Sequence, residues 1–154
     1  MKFYLLTHSR ELNRATNTGQ LAIDCFGTQV ERVIWDRVNP NRTLIELIGN
    51  NEIALLHPDG HRSSNSIKRY DNFLIIDSTW QEANKIFNRS TYLKDADKIS
   101  FNRNKKSTYL LRRNQPIGGL CTAECIIQLL ITHGEIEKAN RLQNKFSEFN
   151  QHLS

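Results

Sequence analysis

Cysteine is scarce: Cys25, Cys121 and Cys125 are the only three in 154 residues, an odd number with no Cys-x-x-Cys pair among them. That argues against a disulfide framework and against a zinc knuckle, so free buried thiols are expected and no metal site is. Long apolar runs are missing as well, and nothing approaches the ~20 residues needed to cross a bilayer. The first strand-like segment turns polar at Thr7 and His8, too soon for a secretory signal, so a cytoplasmic protein without membrane contact is expected. There is no repeat, low-complexity tract or long linker, which leaves room for one domain with one core.

Hydrophobic residues at 38% and charged residues at 24% describe an ordinary soluble globular chain. The formal net charge of +5 favours an anionic partner, with nucleic acid the first candidate.

One stretch carries the clearest structural signal. Phe73-Leu74-Ile75-Ile76 is an unbroken apolar run that ends at Asp77, the pattern of a strand covered on both faces in a parallel sheet. Trp80, Ala83, Asn84 and Phe87 then recur at helical spacing, with Thr79 and Glu82 placed as a capping box. Asp77 thus stands at the carboxyl end of a buried strand, just before the free N–H groups of a helix, where open α/β sheets bind ligands. A purely structural account is also open, in which Asp77 ends a strand and Trp80 fills the core.

Further strands are expected over residues 2–8, 30–35, 53–56 and 98–101. A helix follows Thr16-Asn17-Thr18-Gly19 and stops at Gly27, and another starts with Thr122 as its cap. Residues 43–48 read as helix or strand, and residues 60–71 as a surface loop. His57 falls at a strand end, as a structural or a site-lining residue. A last helix over residues 135–153 carries an apolar stripe of Ala139, Leu142, Phe146, Phe149 and Leu153. The stripe is buried either on the body of the same chain or in a dimer seam, so monomer and homodimer both remain open. The fold class is α/β, a single domain over residues 1–154 with a mostly parallel sheet. The densest basic region holds Arg103, Lys105, Lys106, Arg112 and Arg113, with Tyr109 available to stack on a base; a solvated loop is the alternative.

Taken together, Thr16-Asn17-Thr18-Gly19-Gln20-Leu21, Leu55-Leu56-His57-Pro58, Asp77-Ser78-Thr79-Trp80, and Tyr109-Leu110-Leu111-Arg112 followed by Leu120-Cys121-Thr122-Ala123-Glu124 resemble, in order and spacing, the DTW-domain family. The resemblance runs from about residue 7 to about residue 130. It implies a SPOUT-related fold with a C-terminal knot that shapes a pocket for S-adenosylmethionine as co-substrate. It also implies transfer of the 3-amino-3-carboxypropyl group to N3 of a uridine in tRNA, with release of methylthioadenosine. Uridine N3 attacks poorly until its proton is drawn away, which makes Asp77 the candidate catalytic residue, as base or as the partner of the transferred ammonium. Thr18, Leu56, His57, Pro58, Ser78, Thr79, Trp80, Leu120, Cys121, Thr122 and Glu124 would surround the co-substrate. Lys105, Lys106, Tyr109, Arg112 and Arg113 would hold the RNA, or Arg112 would pair with the co-substrate carboxylate. The sequence departs from the family pattern in lacking the N-terminal cysteine cluster of many bacterial members, and in having Ser78, Cys121 and Cys125 where other small residues are usual. An RNA methyltransferase of the same broad fold and a non-catalytic RNA-binding protein are the competing functions.

Overall fold

The computed structural model describes residues 1–101 and 120–153. Two-faced burial of the central strands dictates its layers. In β1 (Lys2–Thr7), Phe3 and Leu5 enter one core, whereas Tyr4 and Leu6 enter a second on the opposite face. β4 (Asn72–Asp77) does the same, with Phe73 and Ile75 on one side and Leu74 on the other. Strands apolar on both faces need helices on both, and they have them. Leu21 and Ala22 of α1 (Gly19–Phe26), Ile67 of α3 (Ser64–Lys68), Ile126 and Leu130 of α6 (Thr122–Thr132), and Leu142 and Phe146 of α7 (Ile136–Gln151) fill the first face. Leu44 and Ile48 of α2 (Arg42–Gly49), Ile86 of α4 (Trp80–Asn88) and Leu93 of α5 (Thr91–Lys94) fill the second.

With β2 (Val30–Ile34), β3 (Ala54–His61) and β5 (Asp97–Ile99) the strands form a five-stranded sheet in the order β2-β1-β4-β3-β5, every pair of them parallel. Crossovers toward the β2 edge carry α1 and α3 on one face, and those toward the β5 edge carry α2 and α4 on the other. A single crossover handedness requires this division. It has a consequence at the centre: the chain leaves β1 for one face and leaves β4 for the other. The carboxyl ends of these two neighbours therefore form the switch point of the sheet, where such folds open a crevice.

Pairing between β1 and β4 continues to Thr7 opposite Asp77. Pairing between β4 and β3 stops at Leu55 opposite Leu74, so β3 splays away from the last residues of β4. Beyond Leu56 the strand bulges through Pro58 and returns, and both Leu56 and His61 register with Ile99 of β5. Gly60 makes the return possible, since a Cβ there would fall on the backbone of Ile99.

One open reading is decided, and several local expectations are corrected. Residues 43–48 are helical, because Asn41 accepts the Leu44 N–H at 3.0 Å as a cap and Leu44 and Ile48 bury one face. The strand expected to end at Leu56 continues to His61, and residues 60–71 contain α3, anchored by buried Ile67, where a loop was expected. Asn84 of α4 is exposed, and Ile86 is that helix's buried residue. The fifth strand is Asp97–Ile99, shifted from residues 98–101. Leu153 lies beyond α7. The mostly parallel sheet is wholly parallel among the described residues. Residues 102–119 lie outside those described, and with them the course of the chain on which a C-terminal knot would turn.

Candidate functional site

Asp77 is 3% exposed, and both of its carboxylate oxygens are held. Oδ2 accepts from Arg32 NH1 at 2.9 Å and from Asn17 Nδ2 at 3.0 Å, and the Thr7 hydroxyl stands 3.4 Å away. Oδ1 accepts from the Thr122 hydroxyl at 2.6 Å. Arg32 extends the network, giving hydrogen bonds to Thr7 Oγ1 at 3.1 Å and Asn17 Oδ1 at 3.2 Å. Asn17 Oδ1 in turn accepts the Gln20 N–H at 3.1 Å and so caps α1. One carboxylate thereby ties together β1, β2, β4, the loop before α1 and the start of α6. Arg32 and Asp77 are a charge pair with side chains 13% and 5% exposed, and the surrounding hydroxyl and amide donors supply the hydrogen bonds that make burial of such a pair tolerable.

Thr18 does not cap its own helix by its side chain; its hydroxyl accepts the Ala123 N–H at 3.2 Å and so serves the N-terminus of α6. Thr122, expected as the cap of α6, is instead its first residue and gives its hydroxyl to Asp77. The cap is Cys121, whose N–H donates to Glu124 Oε1 at 3.1 Å. Gly19 completes the clasp. A Cβ there would stand 2.7 Å from Asp77 Oδ2 and 3.0 Å from Asn17 Oδ1, so no larger residue fits.

Thr79 caps α4 by accepting the Glu82 N–H at 3.3 Å, but Glu82 Oε2 is buried with no hydrogen-bond partner among the described residues, and only that half of the expected capping box has a described bond. Ser78 Oγ is likewise buried and unpartnered among the described residues. Trp80 is half-buried at the first position of α4. Leu56 and His57 are half-buried on the splayed part of β3, and Pro58 is exposed. His57 lies against Phe87, with centroids 4.4 Å apart, and its Nδ1 accepts the Asp59 N–H at 3.2 Å. Burial first, and Lys98 after it, lower its pKa despite the opposing charge of Asp59, and this favours the neutral ring. Leu120 is half-buried, and Cys121 and Glu124 are buried beside Thr122. Lys105, Lys106, Tyr109, Arg112 and Arg113 lie outside the described residues.

Burial pushes the Cys121 thiol well above the usual range, and the charge of Glu124 adds to the rise. Cys121 is therefore expected to resist iodoacetamide in the folded protein and to react only on unfolding, whereas half-buried Cys25 and Cys125 react sooner. Peptide mass spectrometry after timed alkylation reads this directly; labelling of Cys121 at the rate of Cys25 would contradict it.

Thr7, Asn17 and Arg32 were missed as site residues in the sequence. Arg32 had one available signal: it shares a strand face with buried Val30, and an inward-facing cation calls for a counter-ion. Among the described residues no cluster of three His, Cys, Asp or Glu is placed to hold a metal ion, and no helix is long and apolar enough to cross a membrane. The family model for the DTW domain matches residues 1–154, the whole chain. No solved structure matches.

Proposed function

The chain belongs to the DTW-domain family, whose members modify tRNA, and from that premise we propose that it transfers the 3-amino-3-carboxypropyl group of S-adenosylmethionine to N3 of a uridine in tRNA. The observation that carries this proposal is the convergence of three family motifs, at residues 16–19, 77–80 and 120–124, on the carboxyl ends of β1 and β4. When bound, the co-substrate supplies a sulfonium that activates its attached carbons. Uridine N3 forms a bond to the γ-carbon of the amino acid as its proton leaves; the carbon–sulfur bond breaks, and sulfur keeps the electron pair as methylthioadenosine.

The residues of this chain then have distinct tasks. Asp77 accepts the N3 proton at Oδ1, directly or through the Thr122 hydroxyl, because Oδ2 is already taken by Arg32 and Asn17. Arg32 holds that carboxylate in place. Leu56, His57 and Pro58 on the splayed strand, with residues 120–124 at the start of α6, hold the adenosine by apolar contact and backbone groups. His57 in its neutral form adds no charge there. Trp80 walls the transferred group, and Lys105, Lys106, Arg112 and Arg113 hold the tRNA backbone, which positions the substrate without specifying it. The knot and the SPOUT relationship belong to the same proposal.

The test uses tRNA from a strain lacking this protein and S-adenosylmethionine labelled in the methyl group or in the carboxypropyl chain. Carboxypropyl label in a uridine with methylthioadenosine in solution is expected. Methyl label in the RNA with release of S-adenosylhomocysteine would establish a methyltransferase instead, and no label in tRNA or ribosomal RNA a non-catalytic RNA-binding protein.

A further inference from the structure

The buried side-chain atoms that lack a hydrogen-bond partner among the described residues are Glu11 Oε1, Ser78 Oγ and Glu82 Oε2. All three follow the carboxyl ends of the two strands at the switch point. Glu11 lies in the 3-10 turn Ser9–Glu11 after β1, Ser78 adjoins Asp77, and Glu82 is in the first turn of α4. A buried acceptor left unpaired costs free energy, so its retention beside a candidate crevice points to a donor that arrives with a ligand.

Charge narrows the kind of donor. Arg32 answers Asp77 at 2.9 Å, and Arg14 NH1 stands 2.7 Å from Glu11 Oε1 as a charge contact out of hydrogen-bond alignment. Glu82 has no ion-pair partner among the described residues. The carboxylates also sense one another: the pKa of Glu11 is raised first by burial, against the pull of Arg14, and then by the charges of Glu82 and Asp77. The group is short of one cation. The described side chains form no metal-holding set, whereas a primary ammonium is compact and offers three donors.

Resting on the function proposed above, we propose that Glu82, with Ser78 and Glu11, receives the α-ammonium of the amino acid of S-adenosylmethionine. Anchoring that end beside Asp77 decides which carbon on sulfur is presented to the nucleophile, and orientation is the main catalytic problem of this co-substrate. It also leaves Asp77 free of the ammonium-binding role.

Methylthioadenosine lacks both the amino acid and the sulfonium charge, so S-adenosylhomocysteine, which keeps the amino acid on a neutral sulfur, is titrated beside the pair, and a parallel loss of its binding assigns the effect to the ammonium. Calorimetric titration of the whole protein with each, in wild type and Glu82→Gln, is expected to show binding of S-adenosylmethionine weakened about ten- to a hundredfold, the range for a lost charged hydrogen bond, with methylthioadenosine affinity unchanged. Equal weakening of S-adenosylmethionine and methylthioadenosine, or of neither, or an unchanged affinity for S-adenosylhomocysteine, would overturn the assignment while leaving the proposed function standing. If wild type bound neither S-adenosylmethionine nor methylthioadenosine saturably, the proposed function would fall and this assignment with it. Should Glu82→Gln not fold, as judged by thermal melting, Ser78→Ala reads the same selectivity with a smaller loss for S-adenosylmethionine alone; an unchanged ratio there also overturns the assignment.

Discussion

Asp77→Asn is expected to abolish measurable transfer and to cost about 3 kcal/mol or more of stability, the range for removing one partner of a buried ion pair. Arg32 would be left with its charge buried and unanswered: the Asn carbonyl can still accept from Arg32 and Asn17, but its NH2 replaces the oxygen that accepts the Thr122 hydroxyl. Denaturant unfolding and a transfer assay separate the two losses. Adding Arg32→Gln to the variant should restore much of the stability, since the uncompensated charge goes, yet should restore no transfer. An unfolding midpoint for Asp77→Asn equal to wild type would deny the carboxylate its part in holding the strands. Transfer at the wild-type rate would deny its part in the chemistry.

Phe146→Ala is expected to cost about 3–5 kcal/mol, as truncation of a buried aromatic does. Phe146 is 1% exposed and shares a core with Ala22, Leu130, Ala139 and Leu142, so α7 buries its stripe on α1 and α6 of the same chain. The melting temperature of the wild type should accordingly be independent of protein concentration. A loss below about 1 kcal/mol, far less than truncation of a buried aromatic costs, together with melting that rises with concentration, would assign the stripe to a seam between two copies.

Phe73-Leu74-Ile75-Ile76 before Asp77 was legible as a strand because burial on both faces writes itself as an unbroken apolar run, and the cap at Thr79 was legible because it acts within one helical turn. The stripe on α7 could be read for the same kind of reason: residues three and four apart share a helix face whatever lies opposite. Residues 43–48 stayed ambiguous because so short a run fits either period, and the Asn41 cap decided it in favour of helix. Thr122 was misplaced as a cap because a hydroxyl at a helix start can turn to its own backbone or to a distant group; the nearness of Asp77 settles the choice.

The sequence by itself determined the local elements, the position of Asp77 at a strand end and the family, since each rests on residues near one another in the chain or on motifs in a fixed order. Only the tertiary structure decided that Thr7 stands opposite Asp77, that Arg32 answers it across 45 residues, that Thr18 caps a helix 105 residues away, and that Glu82 Oε2 is left without a hydrogen-bond partner among the described residues. Those facts depend on strand order and register, which arise when distant strands bury their apolar faces together and which no local pattern encodes.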